Sequence, residues 1–145
     1  MQLKGIAMTK HQLEQVYYTN REIRLWEREL YELKSSSSVS SPLPHIGTGS
    51  TSDPTANNAQ RVIELENKIA KLKSELQSQR EEVINFILNI PDSVTRMIVY
   101  YRCVKLMSWR KVAFKVGGDN SEESVRQTYS RFMRNLSQMS QMDVV

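Results

Sequence analysis

Apolar residues recur at helical spacing in the first part of the chain. From Thr9, a candidate N-cap, to Lys34 they follow one another three and four residues apart, which predicts an amphipathic helix. Asn20 is a polar position on the same face. The apolar members of the face are Leu13, Val16, Ile23, Trp26, Leu30 and Leu33. We therefore expect residues 1–34 to form an N-terminal amphipathic helix.

A second and more regular pattern runs through residues 59–90. Its seam positions alternate three and four residues apart, and this 3.5-residue period is typical of a helix that coils around another helix. The partner is either the first helix, folded back antiparallel, or a second copy of the same helix. Gln79 is the polar member of the seam. The apolar members are Val62, Leu65, Ile69, Leu72, Leu76, Val83, Phe86 and Ile90, and all but the last are candidate oligomerisation residues.

The segment between these two helices has a different composition. Residues 35–58 are rich in Ser, Thr, Pro and Gly, and Asp53 is their one charged residue. Such a segment cannot bury enough apolar surface to offset the entropy lost on ordering. We expect a flexible linker that is long enough for the two helices to pair side by side.

Three shorter helices are predicted after Pro91, which ends the seam helix. Asp92 caps the first and Ser108 the second, while the pair Gly117–Gly118 supplies a sharp turn before a last helix capped by Ser121. The predicted organisation is an N-terminal helix (1–34), a linker (35–58), a coiled-coil helix (59–90), a helix-turn-helix domain (91–137) and a tail (138–145).

Composition agrees with an all-α fold. The 145 residues include only 5 Gly and 4 Pro, and long stretches are biased towards Glu, Lys, Leu and Gln. The single cysteine, Cys103, excludes an internal disulfide framework. Neither a membrane-spanning apolar run nor a signal-peptide pattern is present, so we expect a cytoplasmic protein that does not enter a membrane.

Positive charge is concentrated in the C-terminal part of the chain. The formal net charge is +4, and the segment 92–136 alone holds nine basic and four acidic residues, whereas residues 1–91 are close to neutral. A basic block attached to neutral helices is typical of a nucleic-acid-binding module. We expect any polyanion to bind in this segment.

The two helices around the glycine turn form a helix-turn-helix pattern, in which the second helix enters the DNA major groove. Arg126 and Gln127 are the predicted base readers, because Arg suits guanine and Gln suits adenine. Phosphate contacts are expected from Arg110, Lys111 and Arg134, and contacts of either kind from Ser130 and Arg131. Ser124 lies on the same predicted outer face. The alternative interpretation is a solvated surface helix without a ligand.

Segment 92–136 contains a set of residues with a recognisable spacing. They are Ser108-Trp109, Val112-Ala113, Val116-Gly117, Ser121, Val125-Arg126 and the closing segment 131–136. On these residues the segment resembles the DNA-binding fourth region of bacterial sigma factors. Over nearly its whole length the chain resembles the phage-encoded, sigma-like transcriptional activators of the RinA and ArpU type.

This resemblance implies a long helical hairpin or coiled coil followed by a sigma-like helix-turn-helix. It also implies a phage or prophage regulator that binds promoter-proximal double-stranded DNA and activates late genes with host RNA polymerase in the bacterial cytoplasm. Two departures from the sigma pattern are visible: the turn before Ser121 is longer, and Lys111 replaces a common acidic residue. No promoter-melting segment is recognisable, which favours an activator over a true sigma factor.

An enzyme is not expected. Neither His11 nor His45 has a second ligand or triad partner at useful spacing, no phosphate-binding glycine loop is present, and no metal site or cofactor is predicted. Two other functions stay open beside the activator. One is a DNA-packaging protein of the small-terminase kind that forms rings, and the other is a coiled-coil interaction adaptor whose C-terminal helices bind protein. We also expect the chain to form a homo-oligomer through the coiled coil.

Overall fold

A computed structural model describes residues 8–37 and 54–142. Within these ranges the backbone is helical and contains no strand, which confirms the all-α prediction. The described residues form five α-helices, with one turn of π-helix, Tyr100–Val104, between the third and the fourth. The α-helices are α1 (Lys10–Ser37), α2 (Pro54–Ile87), α3 (Ser93–Val99), α4 (Trp109–Val116) and α5 (Glu122–Met142).

Two helix starts are fixed by side-chain caps that the sequence predicts. The Thr9 hydroxyl accepts a hydrogen bond from the backbone N–H of Gln12, and the Gln12 side chain accepts one in return from the N–H of Thr9. The Asp92 carboxylate accepts hydrogen bonds from the hydroxyl and the N–H of Thr95, and these bonds hold the pKa of Asp92 below its ordinary value. Both caps satisfy N–H groups that the first turn of a helix leaves unpaired.

The described residues form two compact units. The first, which we call the terminal unit, contains the residues up to Thr19 together with those from Leu76 onwards. The second, the hairpin unit, contains the described residues from Asn20 to Glu75. Each of the long helices α1 and α2 contributes to both units.

In the hairpin unit α1 and α2 run antiparallel. The Lys34 ammonium lies 2.9 Å from the Glu66 carboxylate, and the Lys73 ammonium lies 2.9 Å from the Glu27 carboxylate. Moving seven residues back along α1 therefore moves the contact seven residues forward along α2. The structure thus has the fold-back arrangement, one of the two partners that the 3.5-residue period allows.

The terminal unit has a core built from both ends of the chain. α1 contributes Leu13 and Val16, and α2 contributes the seam residues Val83 and Phe86, which are almost completely buried. Further members of the same cluster are Ile87, Ile90, Val99, Cys103, Val104, Met133 and Leu136. The C-terminal helices therefore share one core with the ends of the hairpin helices.

Several element boundaries differ from the predicted ones. The predicted linker 35–58 is helical at residues 35–37 and 54–58, and the predicted tail is helical at residues 138–142. Pro54 can open a helix because the first helical residue needs no N–H donor. Residues 38–53 of the linker and 143–145 of the tail lie outside the described residues.

The helix predicted to follow the Asp92 cap is α-helical only from Ser93 to Val99. Its second half is the π-helical turn, in which the N–H of Lys105 donates to the carbonyl of Tyr100, and Leu106 then has a positive φ of 57°. The Arg102 guanidinium donates a hydrogen bond of 2.8 Å to the carbonyl of Met107. These bonds fix the chain reversal that leads into α4.

Candidate nucleic-acid interface

A tight turn connects α4 and α5. Ser108 caps α4 by accepting a hydrogen bond from the N–H of Lys111. The helix ends at Val116 and is capped by Gly117, whose φ of 74° and ψ of −160° are open essentially to glycine alone. The carbonyl of Gly117 then accepts hydrogen bonds from the backbone N–H and the side-chain amide of Asn120. Ser121 caps α5 by accepting a hydrogen bond from the N–H of Ser124, as predicted.

A small apolar core holds the two helices together. Val112 of α4, Val125 of α5 and Ile98 of α3 are completely buried. Ala113 and Val116 pack against this cluster from α4. Because α5 is packed against α4 and α3 on its inner side, its opposite face is exposed to solvent.

Trp109 is a packing residue at the start of α4. Its ring lies edge-to-face against that of Tyr129, with the centroids 5.0 Å apart, and the Arg102 guanidinium carbon lies 4.3 Å from the Trp109 ring centroid. This arrangement is a cation–π contact that joins the π-helical turn to α4. Neither Arg102 nor Tyr129 was predicted as an anchor, because their spacing alone does not reveal this contact.

The outer face of α5 carries a row of exposed polar side chains. At 1.5 Å per residue the row extends for about 12 Å along the helix axis from Arg126 to Arg134. Ser124 is half-buried, and its hydroxyl donates to the carbonyl of Ser121. The exposed members are Arg126, Gln127, Ser130, Arg131 and Arg134, so five of the six predicted DNA-binding residues of this helix are exposed.

Both predicted base readers are bonded to acidic residues in the first turn of their own helix. The Arg126 guanidinium lies 2.9 Å from the Glu122 carboxylate, and the Gln127 amide donates a 3.1 Å hydrogen bond to the Glu123 carboxylate. Both acids also suit the positive end of the helix dipole, because they lie in the first turn of α5. The spacing of four residues in each pair was the signal for the contact.

The exposed face of α4 is also basic. Arg110, Lys111 and Lys115 are exposed, and in the described part of the chain no carboxylate forms an ion pair with them. Phe114 lies among them with 82% of its surface exposed. Together with α5, this helix gives the terminal unit a surface with more positive than negative side chains.

The predicted oligomerisation residues are distributed differently. Ile69 and Leu72 are buried in the hairpin unit, and Val83 and Phe86 are buried in the terminal core. The remaining three, Val62, Leu65 and Leu76, are half-buried. The most buried part of the seam is therefore covered by side chains of the same chain.

Cys103 is a buried thiol beside Tyr129. Burial raises the pKa of Cys103 to about 11, and burial also raises the pKa of the Tyr129 hydroxyl. A thiol with a raised pKa is a poor nucleophile at neutral pH. A neighbouring open cleft of about 320 Å³ is lined by Leu13, Glu14, Tyr17, Tyr18, Arg102, Cys103, Leu106 and Tyr129.

Among the side chains that the structure describes, no three His, Cys, Asp or Glu residues come together as a metal-binding group. In the same part of the chain, no helix is long and apolar enough to cross a membrane. Comparison with known proteins finds no matching family model, no matching curated protein and no matching solved structure.

Proposed function

We propose that this chain is a sequence-specific double-stranded DNA-binding protein that regulates transcription, with α5 as its recognition helix. The observation that carries the proposal is the exposed row from Arg126 to Arg134, on a helix braced from behind by α4 and α3. An α-helix fits the major groove, where base edges differ in their donors and acceptors.

Within this surface the side chains have different roles. Arg126 and Gln127 lie in the second turn of α5, in the part of a recognition helix that reaches deepest into the groove, and they read guanine and adenine. Arg110, Lys111 and Arg134 contact phosphates, which fix the position of the protein without reading sequence. Ser130 and Arg131 contact either bases or phosphates.

The biological role rests on the resemblance to the RinA and ArpU type. We propose a phage or prophage activator of late genes that acts with host RNA polymerase in the bacterial cytoplasm. Homo-oligomerisation is a further proposal, and because the central seam residues are covered within the chain, a second copy would bind through another surface.

The experiment is a binding titration with DNA from upstream of phage late genes and with random DNA, each over a series of salt concentrations. The test variant is Arg126→Ala/Gln127→Ala. The matched control is Arg28→Ala/Gln77→Ala, which removes the same two residue types from exposed positions of α1 and α2. Circular dichroism checks that both variants keep their helices.

We expect the test variant to lose site preference by about 1 to 3 kcal/mol for each base contact, whereas the control keeps it. Equal affinity for every sequence would instead make the protein a general DNA binder and favour a packaging protein. Absence of DNA binding at any salt concentration would refute the proposal and favour a protein-interaction adaptor.

A further inference from the structure

From the contacts on α5 we infer that Glu122 and Glu123 set the specificity of DNA binding. By binding Arg126 and Gln127, the two carboxylates lower the affinity of these side chains for unselected DNA. This inference rests on the proposed function. It assigns to the two carboxylates a role that is separate from reading bases with the arginine and the glutamine.

The two contacts have the same geometry. Each carboxylate lies four residues before its partner, at 2.9 Å for Glu122 with Arg126 and at 3.1 Å for Glu123 with Gln127. In the ion pair about half of each side chain is exposed, 47% for Arg126 and 50% for Glu122. The reading groups are therefore held in place without being buried.

Contacts of this kind are weak, because water competes with them and salt screens them. A guanine in the right position can therefore take the Arg126 guanidinium, since a bidentate contact in the groove is stronger than an exposed ion pair. Contact between Arg126 and a DNA phosphate is less favourable, because the negatively charged phosphate then lies close to the Glu122 carboxylate and is repelled by it. The pair thus favours the correct base over the DNA backbone.

The carboxylates also have a use in the correct complex. Among the groups that bases present in the major groove, cytosine offers an N4 amino donor that a Glu side chain can accept. On other sequences a Glu at the start of α5 has no cytosine partner and repels the phosphates around it. Glu122 and Glu123 therefore lower the affinity for unselected DNA. They raise the affinity for a site with cytosine next to the bases that Arg126 and Gln127 read.

The test compares Glu122→Gln and Glu123→Gln with the unchanged chain. Both changes remove a charge and keep the shape of the side chain. The matched control is Glu81→Gln on α2, because Glu81 also accepts a hydrogen bond from a glutamine four residues away, Gln77, at 3.0 Å. The DNA probes are a site selected from a random pool by the unchanged chain and a duplex of scrambled sequence.

For Glu122→Gln we expect affinity for scrambled DNA to rise by about three- to tenfold and the log–log salt slope to steepen by about 0.9, because Arg126 becomes free to contact one more phosphate. Glu123→Gln is expected to raise affinity for scrambled DNA without that change in slope, since Gln127 is neutral. Pools reselected with either variant should lose a cytosine preference at one position. Glu81→Gln should change none of these values.

The inference is overturned if both α5 variants keep the ratio of selected-site to scrambled-site affinity, or if the control changes it equally. Those results leave the proposed function intact as long as the unchanged chain prefers its selected site and Arg126→Ala/Gln127→Ala loses that preference. If the unchanged chain selects no site from the pool, the proposed function and this inference fail together.

Discussion

The hydroxyl of Tyr129 lies 3.5 Å from the sulfur of Cys103, so a side chain of α5 is bonded to the π-helical turn. The same tyrosine ring contacts Trp109 at the start of α4. Tyr129 therefore links α5 to both elements behind it, and it lies on the side of α5 opposite the exposed basic row. This link gives the candidate recognition helix a fixed position within the terminal unit.

The Cys103–Tyr129 pair predicts a loss of stability in alkali. The folded-state pKa of Cys103 is raised from 9.0 to about 11, and that of Tyr129 is raised as well. Above pH 9 the unfolded chain releases the thiol proton first, so the free energy of unfolding falls between about pH 9 and 11. From Cys103 alone we expect a loss of about 2 to 3 kcal/mol.

Urea unfolding at a series of pH values measures this loss. The variant Cys103→Ala is the comparison, because it removes the thiol and leaves Tyr129 in place. Its stability should fall less steeply over the same range. If the free energy of unfolding falls equally steeply with pH in both proteins, the assignment to Cys103 is wrong.

Gly117→Ala should destabilise the connection between α4 and α5. Apart from Gly117 itself and its two neighbours in the chain, no residue has a heavy atom within 4 Å of the position that a Cβ would take, so the expected cost comes from the backbone alone. With φ at 74° and ψ at −160°, an alanine is strained by about 1 to 3 kcal/mol. Thermal unfolding monitored by circular dichroism gives the value, with Asp119→Ala in the same turn as an exposed control. A neutral effect would mean that the turn adopts another conformation in solution.

Gln79→Leu should stabilise the chain. The Gln79 Oε1 atom is buried and has no hydrogen-bond partner, and an unpaired buried acceptor costs about 1 to 3 kcal/mol. Leucine has a similar size and helix propensity. Gln77→Leu serves as the control, since Gln77 is exposed and bonded to Glu81. If chemical denaturation gives the two variants the same gain in the free energy of unfolding, burial of the Gln79 oxygen is not the cause of that gain.

The antiparallel hairpin predicts coupling between Glu27 and Lys73. Each single reversal, Glu27→Lys or Lys73→Glu, places like charges together and should lower the free energy of unfolding by up to about 1 kcal/mol. The double reversal restores an ion pair and should recover most of this loss. In the control, Lys71→Glu takes the place of Lys73→Glu beside Glu27→Lys. The charges of the chain then change in the same way, but the ion pair between positions 27 and 73 is not restored. Purely additive effects in the first cycle would argue against this helix pairing.

The caps and the seam were predictable from the sequence because they depend on local spacing. Asp92, Ser108 and Ser121 cap helices where expected, and the period through Leu72 and Val83 indicated a pairing helix. The partner of that helix was not predictable, since the same seam suits either a fold-back or a second copy. Leu72→Lys would therefore disrupt the hairpin itself rather than report on an oligomer.

Other features depend on contacts between distant residues. The π-helical turn and the positive φ of Leu106 belong to a chain reversal that Arg102 fixes through the carbonyl of Met107, and no short motif signals it. Within α5 the outer face was predictable from helical spacing. The contacts of Glu122 and Glu123 with the two predicted base readers were not predicted, although the four-residue spacing allowed them.

The core of the terminal unit joins residues from both ends of the chain, and this has a consequence for synthesis on the ribosome. Leu13 and Val16 are made about 120 residues before Met133 and Leu136 of the same cluster. Contacts between such distant residues form late. The nascent chain can pair α1 with α2 early, but the candidate DNA-binding surface acquires its complete support only after α5 has left the exit tunnel.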